Sequence, residues 1–424
     1  MITLRNLLAT ALTGTAAKVT RRNGVSLLGY GSMRMPTKDG YHANTWVKEG
    51  YSASEIDQER LNRQIKMLLD GGVNFFDTSP AYCRGESESR LGEALKNSGY
   101  PRSEYFLSSK LSNFAPQQQS FENSKALFEK TLENLGTDYL DIYLLHSIGN
   151  GGMEDFQHRF VDNGMIDYLF EQKRLGRIRR LGFSFHGDPK CLEWVLKRHD
   201  EGKYRWDVAL IQMNYVDWHH AQEVNARNLD AEYLYREMAS RGIKVMVMEP
   251  LLGGRLARPS ESVMKELLPL DPEATAAKWA LRFCASHSEV LTVLSGMTFD
   301  EHIVENLATF SPLQVLSDAE RLALERAAAA FLGCGAVPCN LCNYCMPCPY
   351  GLDIPSLISF INETRTKRLS DRKAIRALYE KMIPDRRRRA DRCIGCRRCN
   401  PHCPQQIDIP KIMDGIAAFM EEYA

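Results

Sequence analysis

From residue 27 to about residue 300, short apolar runs alternate with amphipathic ones. The runs Leu27–Met33, Val73–Thr78, Tyr105–Lys110, Leu140–His146, Arg179–Phe185, Ala209–Tyr215, Ile243–Glu249 and Val290–Gly296 have the length and apolar density of buried strands. Between them, Leu61, Ile65, Leu68 and Leu69 recur at helical spacing and stop at Gly71-Gly72, a glycine helix end. Ser87–Lys96, Phe121–Asn134, Ile166–Arg174, Cys191–Arg198, Ala231–Ser240, Glu273–Ser286 and Phe299–Leu307 read as the other helices. Strands and helices in strict alternation predict a parallel (β/α)8 TIM barrel rather than an open sheet, with any active site where the strands end. Beyond it, residues 356–383 read as helix, with Leu357, Ile358, Phe360 and Ile361 on one side, so the C-terminal part is expected to be a small, mostly helical domain. The expected organisation is a tail over 1–20, the barrel over 21–315 and the second domain over 316–424.

Composition changes this picture little. The chain has 424 residues, 44% hydrophobic and 25% charged, with net charge +1, which gives no general bias toward nucleic acid or membrane. No stretch approaches the roughly 20 apolar residues of a membrane span. Leu7 to Ala17 is mildly apolar and resembles a remnant or weak form of an export signal, but it lacks a strong apolar centre, and Arg21-Arg22 follow rather than precede it. The cytoplasm is the expected compartment.

The cysteines supply the first chemistry. Cys339, Cys342, Cys345 and Cys348, then Cys393, Cys396, Cys399 and Cys403, form two runs, each ending in Cys-Pro. Three cysteines at two-residue gaps, with a fourth before proline, suit a [4Fe-4S] cluster; the second run fits that form fully, and the first has two residues rather than three before Cys348. The expectation is two [4Fe-4S] clusters, grouped by analogy with two-cluster ferredoxins as Cys339, Cys342, Cys345 and Cys403 against Cys393, Cys396, Cys399 and Cys348. The alternatives are zinc, whose single tetrahedral site needs fewer thiols, and disulfides, which belong to small secreted domains. An internal repeat couples the runs: Cys348-Pro349-Tyr350-Gly351-Leu352-Asp353-Ile354-Pro355 is echoed by Cys403-Pro404-Gln405-Gln406-Ile407-Asp408-Ile409-Pro410.

The strand ends supply the second. Asp77 ends the second strand, Tyr82 follows it, Lys110 ends the third and His146 the fourth, so all four would face one mouth. A carboxylate, phenol, ammonium and imidazole so placed make a proton-donor site, in which Lys110, paired with Asp77, is expected to lower the pKa of Tyr82. Cys83, beside Tyr82, is either a substrate contact or a small buried hydrophobe.

Phe76-Asp77-Thr78-Ser79-Pro80-Ala81-Tyr82, continuing through Gly85-Glu86-Ser87-Glu88-Ser89-Arg90-Leu91-Gly92, resembles the aldo-keto reductase signature. Leu28 to Arg34, Leu107 to Lys110 and Asp141 to His146 resemble that family's first, third and fourth strands, and with the cysteine tail the chain is similar to the family's iron-sulfur-containing branch. The resemblance implies Tyr82 as general acid, Asp77 and Lys110 tuning it, and His146 orienting a carbonyl. It also implies NADP(H) or NAD(H), held by Gly31, Ser32 and Met33, by Ser184 and Gln212 at the nicotinamide amide, by Leu251, Gly253 and Gly254 at the pyrophosphate, and by His302, Glu305 and Asn306 at the adenosine. The sequence departs from that pattern at Phe185, where an asparagine is common and His186 would serve instead. Met248 replaces a stacking aromatic, and Gly296 and His302 stand where a lysine and an arginine often bind the 2′-phosphate.

The expected activity is hydride transfer between NAD(P)H and a small-molecule carbonyl or its alcohol. The alternative is an electron-transfer or redox-sensor protein whose barrel binds nicotinamide without turnover. Nicotinamides pass electron pairs and clusters single electrons; a flavin is the usual mediator, but no second Gly-rich dinucleotide fold is evident. Lys367 to Arg398 carries thirteen Lys and Arg against four Asp and Glu, which would suit either a solvated face or docking of an acidic redox carrier. Aromatic interleaving of the kind nucleic acid favours is absent.

Overall fold

The structure, a computed structural model, describes residues 18–40 and 55–423. The stretch Leu7–Ala17 and most of the polar segment 36–54 lie outside them. Eight parallel strands close into a barrel: β1 Leu28–Gly31, β2 Phe75–Asp77, β3 Phe106–Leu111, β4 Leu140–Ile148, β5 Ile178–Phe185, β6 Val208–Gln212, β7 Lys244–Met248 and β8 Val290–Ser295, with β8 pairing both β7 and β1. Every expected strand is present, with no end displaced by more than three residues.

The pleat sorts side chains into two cores. Residues such as Phe75, Ile142, Leu144, Val208, Leu210, Met246 and Leu294 fill the barrel interior as one cluster, whereas their neighbours, among them Phe76, Tyr143, Leu145, Ala209 and Val247, pack outward against the helices. A two-stranded hairpin, Arg21–Arg22 with Val25–Ser26, precedes β1 and contributes Val25 to the interior. The helix Asp318–Leu332 packs Leu324, Ala327, Ala328 and Phe331 into the same cluster as the barrel helices, so by side-chain contact the barrel unit runs past residue 316.

The C-terminal part has its own core, built from Leu357, Ile361, Ile375, Tyr379, Met413 and others, with six of the eight cysteines packed against it. The single helix expected over 356–383 is two, Ile354–Thr366 and Arg372–Met382. Arg368 takes a left-handed φ of 49°, and the Asp371 carboxylate accepts the Ala374 N–H to start the second helix. Charged residues beyond Thr364 bury too little to hold a continuous helix, and turning lets Phe360 and Tyr379 meet at 4.8 Å. The repeat reappears as structure: Asp353 and Asp408 stand just before two helices that carry Pro355 and Pro410 in their first turns.

Gly182 on β5 marks a close approach of strands, because a Cβ there would overlap the carbonyl oxygen and side chain of Val208 on β6. Gly182→Ala is expected to cost about 3 kcal/mol, measured as a fall in denaturant midpoint at constant slope. Gly136→Ala, which is surrounded by open space but needs a φ of 62°, is expected to cost only about 1 kcal/mol.

Candidate functional site

The alternation that fills the barrel also fixes the residues at its mouth. Asp77 lies two residues beyond the inward Phe75, His146 two beyond Leu144, Gln212 two beyond Leu210 and Met248 two beyond Met246, so each continues its strand's interior row. Lys110 on β3 points the same way: its Nζ reaches Asp77 Oδ2 at 2.6 Å and donates to the Thr78 carbonyl at 2.8 Å, while the Ser108 hydroxyl donates to Asp77 Oδ1 at 2.9 Å. Both partners are buried, Lys110 completely. Tyr82 follows in a short turn whose Cys83 and Arg84 both have positive φ. The Lys110 Nζ lies 4.7 Å from the Tyr82 ring centre, and the Tyr82 and His146 rings meet edge to face at 5.9 Å. The structure therefore brings all four residues of the expected proton-donor site together.

Burial decides their charge states. It pulls Lys110 below and pushes Asp77 above their ordinary values, and each partner opposes the other's shift; at 2.6 Å, with the Thr78 carbonyl accepting from the lysine and the Ser108 hydroxyl donating to the carboxylate, they are held as an ion pair. Tyr82 is pushed well above the usual phenol value, first by burial and then by Asp77 and Glu249. This reverses the expectation that Lys110 would lower it. The lysine's charge is engaged 2.6 Å away by Asp77, which leaves burial as the dominant influence on the phenol. Burial, with Lys110, His186 and Arg159 adding to it, holds His146 well below the usual imidazole value, so its ring is neutral. The His146 Nδ1 meets the Ser112 hydroxyl at 2.5 Å and that of Ser79 at 3.3 Å.

Arg159, from the segment after β4, secures the imidazole from behind. Its Nη2 donates to the His146 carbonyl at 2.9 Å, and its guanidinium lies 4.6 Å from the Phe114 ring, which itself packs on His146 at 5.0 Å. Cys83 is buried and donates weakly to the Ser32 carbonyl at 3.4 Å. This is the small-hydrophobe role rather than a surface for substrate.

The residues expected around a dinucleotide are placed as follows. Ser184 Oγ accepts the Ser147 N–H at 2.7 Å, and Gln212 Nε2 donates to Asp217 Oδ2 at 2.7 Å. Gly31 ends β1, and the Ser32 hydroxyl meets that of Ser87 at 2.8 Å. Asn306 donates to the Ser295 hydroxyl at 3.0 Å; Glu305 accepts from the Thr275 hydroxyl, and the His302 ring packs on Phe299 at 5.2 Å. Leu251 leads into Gly253 and Gly254, whose φ values are 67° and 93°, a backbone that glycine adopts without strain.

That loop is covered by the second domain. A Cβ on Gly253 would overlap the Cα of Asn340, Arg34 donates to the Asn340 carbonyl, and the Tyr344 hydroxyl reaches Met33 Sδ at 3.8 Å. Alongside, Phe185, His186, Gln212, Asp217, Pro404 and Gln405 enclose a cavity of about 20 Å³, room for one water. At this seam Asp217 Oδ1, Asn228 Nδ2, Arg255 Nη1 and Asn340 Oδ1 are buried without a hydrogen-bond partner among the described residues. The cysteines behind it fall into two adjoining neighbourhoods: Cys339, Cys342 and Cys345 each feel the charge of Cys403, and Cys399 feels those of Cys348, Cys396 and Cys393, with Cys345 also feeling Cys399. Among the described residues no three metal-ligating side chains converge on a point suited to one ion. Arg34, Arg159, Arg255, Asn340 and Tyr344 were not singled out from the sequence. Arg34, Arg255, Asn340 and Tyr344 lie in or beside motifs whose other residues drew attention, and nothing in the linear order pairs position 34 with position 340.

An aldo/keto reductase family profile matches residues 28–327, and a 4Fe-4S dicluster domain profile matches residues 338–408. L-galactose dehydrogenase of Arabidopsis thaliana is 30% identical over 263 residues, covering 58% of this chain and 76% of that one. Glyoxal reductase of Bacillus subtilis is 28% identical over 265 residues, covering 62% and 80%. Among solved structures, an aldo-keto reductase from Bacillus halodurans in its holo form superposes with a TM-score of 0.56 at 23% identity, covering 74% of this chain and 97% of that one. An aldo-keto reductase from Klebsiella pneumoniae in complex with NADPH gives 0.53 at 22%, covering 73% and 94%; both share the barrel fold. The chain belongs to the aldo/keto reductase family of oxidoreductases and carries a 4Fe-4S dicluster domain after its barrel.

Proposed function

We propose that this enzyme reduces the carbonyl of a small molecule, or oxidises the corresponding alcohol, with Tyr82 as the proton donor. The observation that carries the reading is the buried Lys110–Asp77 pair beneath a protonated Tyr82 and beside a neutral His146. A carbonyl oxygen between the phenol and the imidazole would receive the Tyr82 proton as negative charge develops on it. If Nδ1 accepts from the Ser112 hydroxyl, Nε2 carries the ring proton and can hydrogen-bond the same oxygen. Arg159 and Phe114 hold the ring in that pose.

NADP(H) or NAD(H) is the expected hydride source. Ser184, Gln212, Asn306 and the Gly253-Gly254 backbone suit such a group in character. With Asn340 against Gly253 they do not fit one in this arrangement. That covering is also what favours the second reading, a redox-sensor or electron-transfer protein whose barrel does not turn over.

The two cysteine neighbourhoods suit two [4Fe-4S] clusters, Cys339, Cys342, Cys345 and Cys403 holding one and Cys393, Cys396, Cys399 and Cys348 the other. Burial pushes the thiols of Cys339 and Cys399 up to about 11, with neighbouring sulfurs adding to it; iron would hold them as thiolates. Such clusters exchange single electrons, and an acidic carrier protein would suit the basic segment Lys367 to Arg398. A reducing compartment, the cytoplasm, suits the thiols. No helix among the described residues is long and apolar enough to cross a membrane.

Tyr82→Phe is expected to lower carbonyl turnover by 10²–10⁴-fold with dinucleotide affinity and cluster absorbance unchanged, in anaerobic steady-state assays over aldehydes and ketones. Turnover unchanged by the substitution would overturn Tyr82 as the donor, and dinucleotide binding without any carbonyl turnover in the unsubstituted protein would favour the second reading. Because Tyr82 is raised, its proton is retained as pH rises, so no loss of activity from donor ionisation is expected below about pH 10, read from a pH–rate profile. His186, held near 4 by burial, and His146 stay neutral in the fold while the unfolded chain takes up protons below about 6.5. Stability should therefore fall from pH 6.5 toward pH 4, and His186→Gln should shrink the fall in urea midpoint. Cys403→Ala should remove iron from the first neighbourhood alone, leaving about half the iron and one cluster signal by electron paramagnetic resonance.

A further inference from the structure

In the loop that resembles a pyrophosphate seat, Gly253 is covered by the chain itself, while Gly254 faces open space. We propose that the barrel mouth is the docking surface for segment 339–345 and for Pro404-Gln405, and that this docking and dinucleotide binding exclude one another. The inference rests on the reading that the barrel takes NAD(P)H, and it adds what the barrel gives up to do so.

Three observations converge. First, Asn340 lies against Gly253 so closely that not even a methyl group fits between them, and a phosphate needs more room than a methyl. Second, the Gln212 and His186 side of the mouth is roofed by Pro404 and Gln405, which line the same small cavity. Third, the contact at the seam is loose. Asn225 reaches the Pro404 carbonyl and Gln405 Oε1 only at 3.5 and 3.4 Å. Hydrogen bonds at the long end of the range hold the roof weakly. Arg255, two residues beyond Gly253, half-buried and near Cys339, is a cation that an incoming pyrophosphate could engage once Asn340 leaves.

The coupling is reciprocal. A dinucleotide that binds only the undocked form has its affinity reduced by the docked fraction, and bound dinucleotide displaces the loop by the same factor. Weakening the dock should tighten the dinucleotide, the reverse of what removing a cofactor contact would do.

The test uses the full-length, cluster-loaded protein under anaerobic conditions and two variants that loosen the dock from opposite sides: Tyr344→Ala in the cysteine loop and Asn225→Ala in the barrel, neither belonging to the proton-donor site. Each is checked first for unchanged iron content. NADPH is titrated by nicotinamide fluorescence, and hydrogen exchange of residues 338–346 and 403–406 is followed with and without it. Expected are about tenfold tighter NADPH binding in each variant and faster exchange of both segments in the wild type when NADPH is bound. Equal affinity in all three proteins, with both segments equally protected in the presence of NADPH, would overturn the exclusion while leaving the barrel a dinucleotide binder. Binding of NADPH by none of the three, with exchange showing the loop already free in the variants, would overturn the dinucleotide reading itself.

Discussion

A lysine and an aspartate buried at the mouth of the barrel constrain everything around them. At 2.6 Å and out of water, neither charge is tolerable without the other or without the Ser108 hydroxyl and the Thr78 carbonyl that complete their hydrogen bonds. The register of β2 on β3, which pairs Asp77 with Ser108, is thus held by polar satisfaction as well as by apolar packing, since a slip by one residue would turn Lys110 toward the helices. The same pair sets the electrostatics for Tyr82, because Asp77 engages the ammonium and adds to burial in raising the phenol. A free ammonium at that distance would draw the phenol toward ionisation, whereas a neutralised one leaves it a protonated donor.

Much of this was legible in the sequence because it repeats. Period-two apolar runs between helices with 3.6-residue spacing, eight times over, leave few folds available, and the position of Lys110 or His146 in its run says which way it points. The cysteine spacing was legible for the same reason: the chemistry constrains adjacent residues. What could not be read is long-range. The break at Arg368 depends on a helix finding a partner surface. The rise in the Tyr82 pKa depends on how deeply it is buried and on Glu249, contributed from beyond β7. The meeting of Gly253 with Asn340 joins positions 87 residues apart that share no pattern.

The two domains are joined by more than a tether. Arg34 from the barrel and Asn340 from the cysteine loop share a hydrogen bond, Tyr344 sits on Met33, and the Asn225 amide faces Pro404 and Gln405. Both cysteine runs therefore contribute to the contact, the first through the loop between its leading cysteines and the second through the residues after its last. The basic segment, by contrast, has satisfied part of its charge within itself, as where Asp385 holds Arg387 at 3.1 Å.

Arg159 has one more implication. Segments that follow strands in such barrels usually vary freely, because they contact ligand and little else. Here the segment after β4 carries the guanidinium that holds the His146 carbonyl, stacks on Phe114 and contacts the Asn113 side chain. Swapping this segment for that of a relative would unseat the imidazole along with the old pocket wall. Any redesign or natural drift of substrate range in this chain has to move Asn113, Phe114 and Arg159 as one block, which narrows the paths open to it.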